Sequence, residues 1–157
     1  MAKTGLGQDR LAHRPGFLVR RLHQIFVSIY LQHCEQFGTT PAQSSVMQVL
    51  AARPGIDQAT LAAEIGLDRT TTSNVLHRLQ QRGIIRRETD KADRRSRRAF
   101  LTPVGETMLQ EMRSSIAAAH RQLTEPLSKD DREHFVSMLQ HLVAANNSLG
   151  RTTLRDL

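Results

Sequence analysis

Residues 61–101 read LAAEIGLDRTTTSNVLHRLQQRGIIRRETDKADRRSRRAFL, and this stretch decides the fold. A short helical segment ends at Gly66, because glycine readily takes the left-handed conformation that closes a helix. Asp68 then provides a capping carboxylate for a second helix over 69–82. Two helices joined by a turn as short as Gly66-Leu67-Asp68 are typical of a helix-turn-helix.

An arginine-rich hairpin follows the second helix. Two predicted strands at 84–89 and 97–101 enclose it, and the residues from Arg86 to Arg98 include seven basic and three acidic side chains. A helix with a polar face next to a basic hairpin is an arrangement that binds duplex DNA. The sequence therefore predicts a fold that is mainly α with a small β-hairpin wing, a winged helix-turn-helix.

Composition agrees with a nucleic-acid partner. The chain has 157 residues and a formal net charge of +7, which favours a polyanion such as nucleic acid or an anionic membrane surface. No apolar run approaches the ~20 residues that span a bilayer, and the N-terminus lacks a signal-peptide core. The one cysteine excludes an internal disulfide framework. We therefore expect a soluble cytoplasmic protein without a membrane partner.

Capping patterns locate the remaining helices. Their start signals, in chain order, are Thr40-Pro41, Asp57, Thr102-Pro103 and Ser128. An N-terminal helix runs from Pro15 to about Phe37, where Gly38 ends it.

The helices at the two chain ends carry more apolar positions than a monomer of this size needs to cover. We therefore expect a homodimer built from both ends, which would present two recognition helices about one DNA turn apart. The predicted organisation is a flexible arm (1–14), dimerisation helices (15–38 and 103–157) and a winged helix-turn-helix DNA-binding domain (39–102).

The second helix of the helix-turn-helix is predicted to read DNA. Hydroxyl and amide groups in its first half can donate to or accept from base edges, while its basic residues suit phosphates or guanine. The predicted DNA-binding residues of this helix are Arg69, Thr70, Thr71, Thr72, Ser73, Asn74, His77 and Arg78. The alternative is that several of these hydroxyls bond backbone within the helix.

In the wing, the predicted DNA-binding residues are Asp93, Arg94, Arg95 and Arg97. We expect Arg95 to enter the minor groove, where a narrow A·T tract concentrates negative potential. Asp93 would repel phosphate, so we expect it to pair with Arg95 and orient it. The alternative is a solvated hairpin whose surface ion pairs contribute roughly 0–1 kcal/mol each.

The pattern resembles the MarR family (multiple antibiotic resistance regulators) over about Phe17 to Ala145. Its most specific parts are LAAEIGLDRTTTSNVLHRLQQRGIIRR and DKADRRSRRAFLTPVGE, with Asp93 and Arg95 as the Asp-x-Arg of the wing. The resemblance implies a dimeric repressor with a palindromic operator, released when a small ligand binds between the dimer and DNA-binding parts. The opening RPGFLVRRLHQI is similar to members that control the breakdown of aromatic acids, nicotinate among them.

Candidate ligand-binding residues lie on and just before the first helix: Arg14, Arg21, His23 and His33. An arginine beside apolar walls would suit a small aromatic carboxylate, such as a hydroxylated nicotinate, through a bidentate salt bridge. The alternative is a core histidine at 33, bonded to backbone, and two surface arginines.

Several other functions remain open. Some members of the family sense peroxide through a cysteine in the first helix, but Cys34 lies near the end of that helix without a second cysteine to resolve an oxidised form. A DNA-binding protein without ligand control is a further alternative, whereas the basic wing argues against a winged helix used only for protein contacts. Phosphate loops, nucleophile elbows and metal-ligand pairs are absent from the sequence, so we expect neither an enzyme nor a metal or cofactor.

Overall fold

The computed structural model describes residues 11–154. Its helices are α1 (Pro15–Cys34), α2 (Pro41–Ala52), α3 (Gln58–Ile65), α4 (Arg69–Gln81), α5 (Pro103–Thr124) and α6 (Lys129–Asn146). Its strands are β1 (Ile56–Asp57), β2 (Ile85–Thr89) and β3 (Arg97–Leu101), in the antiparallel order β1-β3-β2. The predicted fold class is confirmed. Residues 1–10 of the predicted arm and 155–157 of the predicted C-terminal segment lie outside the described residues, and the proposed division at 38/39 and 102/103 stays a prediction.

Local capping positions the helix-turn-helix as the sequence predicts. Asp57 Oδ1 accepts from the backbone N–H groups of Ala59 and Thr60, at 3.0 and 2.9 Å, and so starts α3. Gly66 ends α3 in the left-handed conformation with φ 68°, where a Cβ would be strained. Asp68 then starts α4 by accepting from the Thr71 N–H at 2.8 Å. The orientation of α4 relative to α3 thus depends on one three-residue turn.

The cap of α3 predicts a pH dependence of stability. The Thr60 hydroxyl, helped by backbone N–H groups, holds the pKa of Asp57 below its ordinary value of 3.8. A carboxyl group whose pKa is lowered by folding stabilises the fold above its ordinary pKa, and this stabilisation is lost as the pH falls through the lowered value. Asp57→Asn should keep the cap but not titrate, so its free energy of unfolding should fall less than that of the wild type between neutral pH and about pH 3. Urea unfolding at both pH values measures this, and parallel losses would contradict it.

The sheet contains a strand that the sequence analysis missed. β1 pairs with β3 through Ile56 opposite Ala99 and Asp57 opposite Arg98. The preceding Gly55 also donates its N–H to Ala99 O at 2.9 Å. A two-residue strand has no periodicity of its own, so the prediction of two strands was incomplete. The third strand fixes the base of the wing to the start of α3.

The junction between β3 and α5 is formed by Thr102 and Gly105, which lie in the segment LTPVGE directly after the wing. Thr102 Oγ1 donates to Gly83 O at 2.6 Å and accepts from the Gly105 N–H at 3.2 Å, which caps α5. At Gly105, a Cβ would lie 2.2 Å from Ile84 O. Only glycine lets α5 approach the start of the wing so closely, so this junction sets the direction in which α5 leaves the sheet.

The N-terminal helix is shorter than predicted and packs along α5. It ends at Cys34 rather than about Phe37, because a 3₁₀ turn over Glu35–Phe37 precedes left-handed Gly38. His33 Nε2 lies 2.7 Å from Gln122 Oε1 of α5. Phe26 stacks on His120 of α5 with 5.0 Å between ring centroids. These contacts place both helices side by side.

Helix α6 buries none of its residues. Several of its apolar side chains are exposed to solvent, among them Val136 at 47%, Met138 at 49% and Leu142 at 54%. On α1, Leu18 and Val19 are also exposed, at 49% and 56%. Within residues 11–154, no helix is both long and apolar enough to cross a bilayer.

Candidate nucleic-acid interface

Helix α4 presents one polar face to solvent and buries the other. Thr72, Leu76 and Leu79 form its buried side, which packs in the main core with Val46 and Leu50 of α2. Among the predicted DNA-binding residues of this helix, Arg69, Thr70, Asn74, His77 and Arg78 are exposed, whereas Thr71 and Ser73 are half-buried. Because the buried face is rigidly packed, the exposed face can enter a groove without rearrangement of the helix.

Two of the predicted DNA-binding threonines have other roles. Thr72 is fully buried and its hydroxyl donates to Asp68 O at 2.9 Å, so its prediction as a DNA contact was wrong. The hydroxyl of Thr71 donates to Asp68 Oδ2 at 2.8 Å, as part of the cap of α4. Hydroxyl groups near the start of a helix often form such local hydrogen bonds, and these bonds compete with contacts to DNA. Thr70 and Asn74 are left as the exposed polar groups in the first half of the helix.

At the tip of the wing, Asp93 shapes the backbone. Its Oδ1 accepts from the Arg95 backbone N–H at 2.9 Å, and its carbonyl accepts from the Ser96 N–H at the same distance. Within residues 11–154, no carboxylate lies in salt-bridge range of the Arg95 guanidinium. The predicted side-chain pair between Asp93 and Arg95 was therefore wrong. Asp93 folds the turn, and Arg94, Arg95 and Arg97 are all exposed at the surface of the wing.

Four side chains that were not among the predicted DNA-binding residues anchor the wing. Arg98 Nε donates to Asp90 Oδ2 at 2.7 Å, and its Nη1 donates to Gly55 O at 3.2 Å. Arg87 Nε donates to Gln80 Oε1 of α4 at 2.6 Å. Burial, with a contribution from the nearby charge of Arg97, lowers the pKa of Arg87. The anchors hold the wing at a fixed position beside α4.

The predicted ligand residues are not brought together. Arg14 is the exposed residue before α1, and His23 is exposed on that helix. Arg21 lines a shallow groove on α1 with Gln24 and Ile25. His33 is engaged by the side chain of Gln122, and not by backbone as the alternative expected. Among the described residues, no group of three or more His, Cys, Asp or Glu side chains is placed to hold a metal.

This structure combines a helix with an exposed polar face, a short turn before it and a basic wing anchored beside it. Together these features define a winged helix-turn-helix DNA-binding protein. The model of the MarR family matches residues 37–96. The regulator HosA of Escherichia coli O157:H7 is 32% identical over 104 residues, which cover 66% of this chain and 77% of HosA. A candidate regulatory protein for the hcr operon of Thauera aromatica is 30% identical over 105 residues, 67% of this chain but only 63% of that protein.

Solved structures agree in fold. PcaV of Streptomyces coelicolor, in complex with its natural ligand, is 30% identical with a TM-score of 0.78 over 92% of this chain and 99% of PcaV. The repressor CouR on a 23-mer DNA duplex is 30% identical with a TM-score of 0.81, over 89% of this chain and 99% of CouR. BpsR of Bordetella bronchiseptica, whose DNA binding is regulated by 6-hydroxynicotinic acid, is 26% identical with a TM-score of 0.79 over 83% of this chain and 94% of BpsR.

The chain belongs to the MarR family and is a transcriptional regulator that binds DNA. The relatives are transcriptional regulators and not enzymes.

Proposed function

We propose that the protein is a homodimeric repressor that binds a palindromic operator and is released by a small aromatic carboxylate. The observation that carries this proposal is the pairing of two surfaces in one chain. One is the exposed polar face of α4 beside Arg94, Arg95 and Arg97 of the wing, which have no carboxylate in salt-bridge range within residues 11–154, and the other is the exposed apolar surface of α1 and α6. The first fits duplex DNA, and the second fits another copy of the chain.

The apolar surface supports a dimer because no residue of α6 is buried within the described chain. An isolated helix of this length is marginally stable in water, and helices in proteins are stabilised mainly by packing of their apolar face. Val136, Leu139 and Val143 follow the helical spacing of one face, with Leu142 beside them. Two-fold pairing of α1 and α6 would cover these side chains and set two α4 helices apart at a fixed distance.

For the ligand, the best-placed basic residue is Arg113, which the sequence analysis did not select. An open cavity of about 490 Å³ lies between α2 and α5, lined by Gln48, Leu109, Arg113 and Ile116 among others. Its size is within the range of small-molecule sites, and a guanidinium beside apolar side chains suits an aromatic carboxylate. Helix α2 packs on α3 and α4 as well as on α5. A ligand bound in this cavity would therefore affect the position of the DNA-binding helices α3 and α4 relative to α5.

One of the structural neighbours is regulated by a ligand of this class. The DNA binding of BpsR is regulated by 6-hydroxynicotinic acid, which is an aromatic carboxylic acid. PcaV has been solved in complex with a natural ligand of its own. An aromatic carboxylate is thus the first class to test for this chain. The groove beside Arg21 is a second position for it, formed in the described chain by α1 alone.

The proposal is tested by titrating the protein on the DNA upstream of its own gene while a panel of aromatic acids is added. We expect one acid to dissociate the specific complex. Arg113→Gln should weaken the effect of that acid by about tenfold, since a charge-assisted bidentate pair contributes about 1.5–3 kcal/mol. Arg121→Gln, on the same helix but outside the cavity, should respond as the wild type does. If Arg113→Gln responded to the acid as the wild type does, the cavity beside Arg113 would be excluded as the ligand site. The groove beside Arg21 would then be the next site to test.

Cys34 does not support a redox-controlled alternative. Its side chain is 1% exposed, and burial raises the pKa of the thiol. A sensing cysteine needs an accessible thiolate. The chain holds one cysteine, so no partner within it could form a disulfide.

A further inference from the structure

The chain after α6 returns to the helix-turn-helix. A 3₁₀ turn over Asn147–Leu149 follows α6, and the backbone then forms a loop that the Asn147 side chain closes. Asn147 Nδ2 donates to Leu154 O at 2.9 Å, and the Leu154 N–H donates to Asn147 Oδ1 at 2.8 Å. We call residues 147–154 the C-terminal loop. The two hydrogen bonds give it a defined shape.

Two independent contacts dock this loop on the turn between α3 and α4. Thr152 Oγ1 donates to Leu67 O at 3.1 Å. Leu154 lies directly against Gly66, where a Cβ would be only 2.9 Å from Leu154 Cδ2. One contact is polar and the other apolar, and both involve the three-residue turn that sets the position of α4.

Docking brings Arg151 into the cleft between α4 and the wing. The cleft measures about 570 Å³, and its basic side chains are Arg69 at the start of α4, Arg95 and Arg97 of the wing, and Arg151. The Arg151 charge also acts on Asp68, whose pKa is lowered mainly by the backbone N–H and hydroxyl of Thr71 and in smaller part by this guanidinium. Arg151 is thus close to the N-terminal end of α4.

The acidic residues of the cleft are already engaged. Asp57 and Asp68 accept hydrogen bonds from the first turns of α3 and α4, and Asp93 accepts from the backbone of the wing tip. Each of these carboxylates has at least one oxygen engaged within the protein, whereas the four arginines are exposed. An oxyanion is therefore the ligand that the cleft is suited to bind.

We propose that Arg151 contacts a phosphate of the DNA backbone and that the C-terminal loop is the device that holds it there. This inference rests on the proposed operator binding by α4 and the wing. When the second helix of a helix-turn-helix lies in the major groove, the first crosses the backbone. The sugar-phosphate backbone of a DNA strand that passes from α4 to the wing would follow the cleft that contains Arg151. Such contacts fix the register of a protein on DNA without reading sequence.

The test is the salt dependence of DNA binding by Arg151→Gln. Two copies in a dimer should each remove about 0.9 from the slope of log K against log salt, a loss of about 2 in total. Affinity should fall about five- to tenfold, equally for operator and unrelated DNA. Arg121→Gln, which removes the same charge from α5, should change neither slope nor preference. A slope of Arg151→Gln equal to that of the wild type would overturn the inference.

A second variant tests the role of the loop. The double variant Thr152→Val/Leu154→Ala should undock the C-terminal loop and lower the salt slope as Arg151→Gln does. Adding Arg151→Gln to this double variant should then lower the slope little further. If the undocked protein kept the wild-type slope, the loop would not be the positioning device. If Arg151→Gln lowered the melting temperature but not the slope, Arg151 would act on Asp68 alone and the inference would fail.

Inorganic phosphate, titrated without DNA, separates a free anion from the DNA backbone as the source of the oxyanion. Stabilisation of the wild type but not of Arg151→Gln, together with unchanged slopes, would identify a free-anion site and overturn the DNA contact. Absence of sequence preference in the wild type would refute the proposed operator binding. The slope on unrelated DNA would still decide the role of Arg151, so the two failures are distinguishable.

Discussion

Arg95→Ala is expected to weaken operator binding by about 100-fold, because the proposed dimer carries two wings and each lost groove contact costs about 1–2 kcal/mol. The side chain is exposed at the tip of the wing, and its guanidinium lies outside salt-bridge range of every described carboxylate. Its charge is therefore available to DNA, and the narrow minor groove of A·T tracts attracts such a charge. A fluorescence anisotropy titration on the operator measures the loss.

The fold should not change in this variant. The turn depends on the backbone N–H of residue 95 donating to Asp93, and alanine keeps that group. The melting temperature and the sedimentation coefficient should therefore match those of the wild type. Arg95→Lys should bind with intermediate affinity, because lysine keeps the charge but lacks the planar fork. Wild-type affinity of Arg95→Ala would show that the wing does not enter a groove at this residue.

Leu142→Glu is expected to separate the dimer and to reduce operator affinity by more than about 100-fold. Leu142 is 54% exposed on α6, a helix that buries none of its residues within the chain. A carboxylate at the centre of a two-fold apolar interface would be desolvated twice without a partner. Each monomer would then bind one half-site on its own. It would lose the high effective concentration that a dimer provides when one of its subunits is already bound to DNA. Sedimentation velocity and anisotropy titration measure the two effects.

Ser137→Glu is the matched control for Leu142→Glu. It introduces the same charge on the same helix, about 140° away at 100° per residue, on the side away from the apolar stripe. This variant should remain dimeric and bind DNA normally. A Leu142→Glu protein that sediments as the wild type would contradict the assignment of α6 to the dimer interface.

Local chemistry explains which parts of the fold the sequence could predict. Asp57 and Asp68 cap the two helices of the helix-turn-helix, and both caps are recognisable from a few adjacent residues. β1 escaped prediction because its two residues acquire strand geometry only from Ala99 and Arg98, more than forty positions away along the chain. The same distinction between local and distant partners separates the confirmed elements from the missed one.

For the interface, the sequence predicted the surface better than the roles of its residues. Thr70 and Thr72 are the same residue type on the same helix, but tertiary packing leaves the first exposed and buries the second. The charge of Asp93 suggested a salt bridge, whereas its short side chain reaches the backbone two residues on. Arg151 could not be predicted at all, because its position follows from contacts of Thr152 and Leu154 with a turn far back in the sequence.

Selection of binding sites from random duplex DNA tests the central claim of a dimeric, sequence-reading regulator most directly. We expect the selected sequences to share an inverted repeat, with half-site centres about one helical turn, or about 10–10.5 bp, apart. The half-sites should be those that the exposed face of α4, including Thr70 and Asn74, can read in the major groove. Selection of unrelated sequences, bound with a steep salt dependence, would contradict the claim and identify a DNA-binding protein that reads no operator.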